Sequence, residues 1–350
     1  MAMSKLLQIW ISNSEQLDDE MRLKKNSDNV IQCMVFYEKL RPRYINKGDT
    51  VSEYDKLFLK SLAINGGSVR LKTMQSSRIV RFVCNMAKAF WEKLSYIQKY
   101  TMWCLVLGFY DITMDIDRTI KRPSPCSEYL MAEKDKGRLV DVDSKFLPYK
   151  NIICTNIFEI SESKLNQETK LMYKKSRFVC DGTLSNAFLA EIGKNLAYTF
   201  NTCESLFKDL SYYNKLIGAT LATVVDKKDF YRDIYMIPSA VSFVCDNDGK
   251  LFCDLYAKMG SKYSSAFSQL TSNMIDWLFN EQSRLNGDNI TSISLQDDTL
   301  FLQRCPINLD DVVNLNQKLG FTLNQKKLQI NQRQVTWSGY TLHRGQISKK

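Results

Sequence analysis

SISLQDDTLFLQ, residues 292–303, decides how this chain is read. Asp297 and Asp298 stand where a strand is expected to turn back on itself, with Ile290, Ile293 and Leu295 before them and Leu300, Phe301 and Leu302 after. Two like charges at the tip of a mostly buried hairpin cost free energy unless a cation or a strong donor compensates them. A divalent metal is the usual compensation. A further carboxylate is available upstream, because Asp226 closes the apolar run ATLATVVD (219–226) and is followed by KKDFYRDI. Two strand-end aspartates that converge can hold a pair of Mg²⁺ ions roughly 3.5–4 Å apart, the arrangement used for in-line phosphoryl transfer. An isolated Asp-Asp pair is ordinarily a solvated turn, so its meaning here comes from the order of the surrounding segments.

Composition bounds the alternatives. A chain of 350 residues, 44% hydrophobic and 25% charged, is long enough for two or three subdomains with a core and is not a disordered tail. Lys and Arg number 48 against 38 Asp and Glu, and this excess favours a polyanionic partner. The ten cysteines form no CxxC pair and His343 is the only histidine, so a Cys/His zinc site cannot be built. The cysteines read as reduced core residues of an intracellular protein. The opening MAMSKLLQIWISNSEQ lacks the apolar core and cleavage pattern of a secretory signal, and the apolar cluster near Tyr100–Tyr110 is too short to span a bilayer. No membrane partner is expected.

Residues 1–115 read as a helical N-terminal region. Ser52 can cap a helix through LFLKSLA that stops at Asn65-Gly66-Gly67. A longer helix carries Val80, Val83, Met86, Phe90, Leu94 and Ile97 at helical spacing and ends near Gly108; its Arg78, Arg81, Lys88 and Lys93 read as a solvated face sooner than a nucleic-acid surface. Over 116–150 the apolar period fades and Pro123, Pro125, Gly137 and Pro148 mark a linker leading into the next region. From 151 onward strands dominate. NIICTNIFEIS and SRFVCDG flank a polar stretch and suggest a long, basic-tipped hairpin. A helical stretch with Cys203, Leu206 and Leu210 precedes ATLATVVD. VSFVCDNDGKLFCDLYA reads as two strands turning at Asn247-Asp248-Gly249, followed by a helix bearing Phe267, Leu270, Met274, Trp277 and Leu278. Asn308 can cap a helix with Val312, Leu315 and Leu319 that ends at Gly320, and the short strands KLQI and VTWSGYTL follow. Helices on one face of an antiparallel sheet make an α+β architecture.

In order, NIFEIS, SRFVCDGTLSN, VVDKKDFYRDI, KMGSKYSSAF, SLQDD, LGFTLNQKK and TWSGYTLH resemble the fingers and palm of reverse transcriptases of the retroviral and Gypsy-type LTR-retrotransposon group. Each match is weak, and their order and spacing carry the resemblance. It covers about 151–345 and says nothing of residues 1–110. It implies a right-hand polymerase fold over 151–350, ending at a primer-grip hairpin. It also implies an RNA-directed DNA polymerase that uses two Mg²⁺ ions, with Mn²⁺ as a substitute, and that takes dNTPs and a primed RNA or DNA template. Asp226, Asp297 and Asp298 would then be the catalytic, metal-holding carboxylates and Lys327 the proton donor to the leaving pyrophosphate. Arg177 would clamp the incoming triphosphate, which needs a planar, permanently charged donor. Met259, Gly260 and Lys262 would line the nucleotide site, the Tyr231 ring would crowd a ribose 2′-hydroxyl, and Trp337, Gly339 and Tyr340 would form the primer grip. The implied location is the cytoplasm or a virus-like particle, with the nucleus as a further compartment.

This chain departs from the family pattern at four positions: Leu295 replaces an aromatic residue before the Asp pair, Met259 a Gln or Phe, Ser265 a proline and Thr183 an arginine. The grip segment lies close to Lys350, so either the chain is a fragment of a polyprotein or its N-terminal helices share in duplex binding. Two other readings stand beside the first. A viral RNA-dependent RNA polymerase shares the palm chemistry, but it usually has a wider spacing between its carboxylates and a second aspartate four or five residues after the first, where this chain has Phe230 and Tyr231. A domesticated palm that binds RNA or protein without catalysis would not need all three carboxylates.

Overall fold

The computed structural model describes residues 101, 109–111, 116–142, 149–165, 171–189, 208, 211–212, 218–288, 290–318, 320–343 and 346–349. In chain order the strands and helices are β1 (Phe109–Tyr110), β2 (Ile120–Lys121), α1 (Ser127–Asp135), β3 (Leu139–Asp141), β4 (Ile153–Cys154), β5 (Asn156–Leu165), β6 (Met172–Asp181), α2 (Thr183–Ala187), β7 (Leu221–Lys228), β8 (Met236–Ile237), β9 (Phe243–Cys245), β10 (Leu251–Asp254), α3 (Lys262–Asn286), β11 (Ile290–Leu295), β12 (Asp298–Gln303), α4 (Leu309–Lys318), β13 (Thr322–Leu323), β14 (Gln329–Gln332), β15 (Gln334–Trp337), β16 (Tyr340–His343) and β17 (Gln346–Lys349). The helices expected within 1–115 and the stretch around Cys203, Leu206 and Leu210 lie almost wholly outside the described residues. At the edge of the first, Phe109–Tyr110 is a strand, paired in parallel with β8.

The chain divides into two compact units. One holds the described residues within 107–195 and 235–264, and the other those within 77–106, 196–234 and 265–350. In the first unit, the expected hairpin is present as β5 and β6, ten residues each, in register from Asn156↔Asp181 to Leu165↔Met172. Both strands run further into the polar stretch than the apolar pattern suggests. Beside it lies a mixed sheet, ordered β2-β4-β9-β10-β3, with parallel pairing at β2-β4 and β4-β9 and antiparallel pairing at the rest.

The segment 116–150, expected as a linker, instead supplies β2, α1 and β3. Its prolines and glycine are loop signals by residue type but act here as helix boundaries. Pro123 and Pro125 precede α1, and Gly137, at φ 71°, ends it with a backbone bond to Lys134 O. Only Leu130 and Glu133 of α1 are buried, which is why no apolar period announces the helix. Leu130 packs with Leu139, Ile157, Val244 and Phe252, while Tyr129 stacks on Phe178 at 4.1 Å. Buried Glu133 is neutralised by Lys136 at 2.9 Å and Arg138 at 3.3 Å.

The loop after β10 presses its backbone on the end of β6. Cys180 N–H donates to Met259 O at 2.9 Å, and a Cβ added to Gly260 would lie 2.0 Å from Cys180 O. Gly260 also has φ 115°, so a side chain there meets both backbone strain and a backbone wall. Gly260→Ala is expected to destabilise the protein by more than about 2 kcal/mol, read as a lowered urea midpoint. A midpoint unchanged from wild type would show that the loop is free to retreat.

In the second unit, an antiparallel sheet runs β11-β12-β7-β13, and β14 also pairs with β7 across a register shift. β7 is the central strand and is buried from Ala222 through Lys227. Side chains alternate between its two faces. Ala222 and Val224 join Leu300, Leu302, Val335, Trp337, Tyr340 and Leu342 on the face covered by β15 and β16. Val225 joins Phe301, Ile307 and Val312 on the opposite face, against which Phe279 of α3 packs. Parity therefore sends Asp226 and Asp298 toward one face and Lys227 and Thr299 toward the other. The strand ends two residues later than its apolar run, at Lys228. α4 starts where expected, with Asn308 Oδ1 accepting the Asp310 N–H at 3.0 Å.

Candidate functional site

The turn between β11 and β12 is two residues long, Gln296 and Asp297, closed by the pair Leu295↔Asp298. Such a tight turn needs positive φ, and Gln296 supplies it at 52°. The conformation is uncommon for a residue with a Cβ and persists only where neighbours impose it. They do so from α3: Gln269 Oε1 accepts the Gln296 N–H at 3.1 Å, and the Ser272 hydroxyl donates to Gln296 O.

β12 pairs with β7 so that Asp298 is directly opposite Asp226, while the Lys227 N–H donates to Asp297 O at 3.0 Å. One carboxylate oxygen from each of Asp226, Asp297 and Asp298 lies within 4.8 Å of the others. Like charges directly opposed across strands destabilise a sheet. Burial, and then repulsion from Asp297 and Asp226, pushes the Asp298 carboxyl up to about 6. Asp297 is raised chiefly by burial, with Asp226 adding to it. Asp226 itself is 4% exposed.

Three groups offset the charge. Lys327 Nζ sits 2.5 Å from Asp226 Oδ1, and Asn324 Nδ2 donates to Asp226 Oδ2 at 3.1 Å; both come from the segment after β13. The third is Lys227, buried on the helix face of the sheet. Its ammonium donates to Thr299 Oγ1 at 2.9 Å and lies over the Phe230 ring at 5.0 Å. Burial lowers it to about 8 against the pull of Asp276, Asp297, Asp298 and Asp226. Thr299 Oγ1 is 2.7 Å from Ser294 Oγ, which donates to Asp276 Oδ1 at 2.9 Å. Asp276 is in turn raised to about 6 by burial, with Lys227 opposing the rise. The donor set of the triad, carboxylate oxygens alone, suits a hard divalent cation such as Mg²⁺ or Mn²⁺.

The structure thus brings Asp226, Asp297, Asp298 and Lys327 together. Tyr231 belongs to the same unit, on the 3₁₀ turn Phe230–Asp233, and its hydroxyl donates to Gln296 Oε1 at 2.8 Å. Trp337 and Tyr340 are core residues, 1% and 8% exposed, with Trp337 Nε1 donating to Asp298 O at 3.3 Å. Of the residues matched to the primer grip, only Gly339, in the turn with Ser338, is exposed.

Arg177, Met259, Gly260 and Lys262 lie in the other unit. Arg177 pairs with Glu162 across the β5–β6 hairpin at 3.6 Å, both half-exposed. Met259 is exposed. Gly260 O accepts Asn186 Nδ2 at 3.0 Å, and the Lys262 ammonium donates to Leu189 O at 2.9 Å.

Sequence reasoning missed Lys227, Gln269, Ser272, Asp276, Gln296 and Asn324. For the helix residues a signal exists. Gln269, Ser272, Asp276, Asn280 and Ser283 recur at helical spacing on a second stripe of α3, and all five bond to β11 or its turn. No model of a known protein family matches this chain, and no curated protein matches it.

Proposed function

We propose that this protein is a reverse-transcriptase-like, template-directed nucleotidyltransferase that extends a primer with dNTPs. The observation that supports it best is the convergence of Asp226, Asp297 and Asp298, one oxygen of each within 4.8 Å, on adjacent antiparallel strands and their turn. Asp226 and Asp297 would hold two Mg²⁺ ions with Asp298 in support. Bound there, the ions would activate the primer 3′-hydroxyl and offset charge on the transferring phosphate.

The remaining roles belong to the chain's own groups. Lys327, half-exposed on one side of Asp226, carries a proton that it can deliver to a leaving oxygen once it releases the carboxylate. Lys227 and Asp276, linked through Thr299 and Ser294, hold β7, β11, β12 and α3 in register beneath the triad. The net charge of +10 favours a primed nucleic acid as partner. Among the described residues no helix is long and apolar enough to cross a membrane.

A primer-extension assay on RNA and DNA templates, with dNTPs and NTPs in parallel, tests the reading. Extension by dNTPs on RNA supports it. Extension by NTPs alone would move the protein to the RNA polymerases, and duplex binding without extension in either nucleotide would leave a non-catalytic palm.

A further inference from the structure

Gln296 is held at three points. Its N–H and C=O are taken by Gln269 and Ser272, both fully buried, and Gln269 Nε2 donates on to Ser294 O at 3.0 Å. With the backbone pinned at φ 52°, only the side-chain torsions of Gln296 remain free, and they bring Oε1 to the Tyr231 hydroxyl at 2.8 Å.

Tyr231 needs such a partner. It sits on a four-residue 3₁₀ turn whose preceding residue, Asp229, is itself left-handed at φ 52°. Its neighbour Phe230 is anchored in the core, 2% exposed and 5.1 Å from the Phe321 ring, whereas Tyr231 is only half-buried. The hydroxyl is the far end of the side chain, so a bond there fixes the ring where a backbone contact could not.

Resting on the polymerase reading above, we propose that Gln296 is a positioning residue for sugar choice: its amide latches the Tyr231 ring, through the hydroxyl, in the path of a ribose 2′-oxygen. The latch adds an element that ring bulk alone does not have. A gate working by bulk would be indifferent to loss of the tyrosine oxygen. A latched gate loosens when either end of the bond is removed, and it loosens no further when both are.

The test is a double-mutant cycle of Gln296→Leu, Tyr231→Phe and the pair, read in two ways. The first is the dNTP-over-NTP ratio of specificity constants. The second is urea unfolding, which needs no substrate. Each single substitution is expected to lower the ratio by about fivefold to tenfold, and the double by no more than either single, with matching non-additivity in unfolding. Tyr231→Phe removes one oxygen only and keeps the test open if Gln296→Leu folds poorly.

Singles that leave the ratio within about twofold of wild type would overturn the latch, as would a double that falls by the product of the singles. Coupling in unfolding without coupling in selectivity would leave a hydrogen bond with no role in sugar choice. Tyr231→Ala is the arm that separates the two levels. If it collapses the ratio while the cycle is flat, the polymerase reading stands and the latch fails. If wild type does not extend primers with dNTPs, the reading fails first and takes the specificity proposal with it.

Discussion

Asp297→Asn, and likewise Asp226→Asn, is expected to lower primer extension by more than about a thousandfold, a loss of roughly 4 kcal/mol of transition-state stabilisation, while the fold survives. Asparagine keeps the shape of the side chain and removes one of the charges that a divalent cation requires. The stability side of the prediction follows from the apo geometry. Asp226 faces Asp298 across the ladder, and Asp297 shares the cluster, so each ionised carboxylate raises the cost of ionising the others. Removing a like charge relieves that repulsion. Asp297→Asn should therefore unfold in urea at the wild-type midpoint or slightly above it. Asp226→Asn also weakens the contact with Lys327, whose ammonium is solvent-exposed while the aspartate is buried, so a small loss of stability offsets part of that relief. Extension and duplex binding measured together on the same preparations check this. Wild-type-like extension by Asp297→Asn would sink the catalytic assignment, whereas loss of both folding and extension would show the carboxylate to be structural.

The second large effect lies beneath the sheet. Lys227 is 2% exposed and Asp276 8%, and they are joined through the hydroxyls of Thr299 and Ser294. Lys227→Met leaves the Asp276 carboxylate buried without a compensating charge, and a cost of about 3–5 kcal/mol is expected. Asp276→Leu removes the foremost of the four carboxylates acting on the ammonium and should cost less, because Asp297, Asp298 and Asp226 still act on it. The double substitution replaces a buried charge pair by apolar groups of similar volume and should recover much of the loss. Recovery will be incomplete, because Lys227 also offsets the three carboxylates above it. Urea unfolding of the two singles and the double measures this. Singles within about 0.5 kcal/mol of wild type would mean that water reaches the pair and that the network does not hold the strands together.

Several elements are legible in the sequence because their chemistry is local. The short apolar runs FVC and LFC on either side of Asn247-Asp248-Gly249, the run of Phe267, Leu270, Met274 and Leu278, and the Asn308 cap each depend on neighbours within a few residues, and each element is present. The same rules fail over 116–150, because α1 buries just Leu130 and Glu133 and so shows no period, and because proline and glycine mark helix ends as readily as loops.

The site divides along the same line. Strand period and turn chemistry suffice to put the Asp297–Asp298 pair where one apolar strand turns into the next and Asp226 near the end of a third, since both signals act over a few residues. That Asp226 faces Asp298 is a property of the folded chain, because register between β7 and β12 is set by which apolar faces must be buried together across a long stretch of sequence. That choice of register, together with the two-residue alternation of each strand, also turns Lys227 and Thr299 to the helix side, where α3 supplies Ser272 and Asp276. No spacing in the sequence announces a lysine that must be buried; its charge becomes tolerable only once an aspartate from a distant helix and three from the sheet surround it.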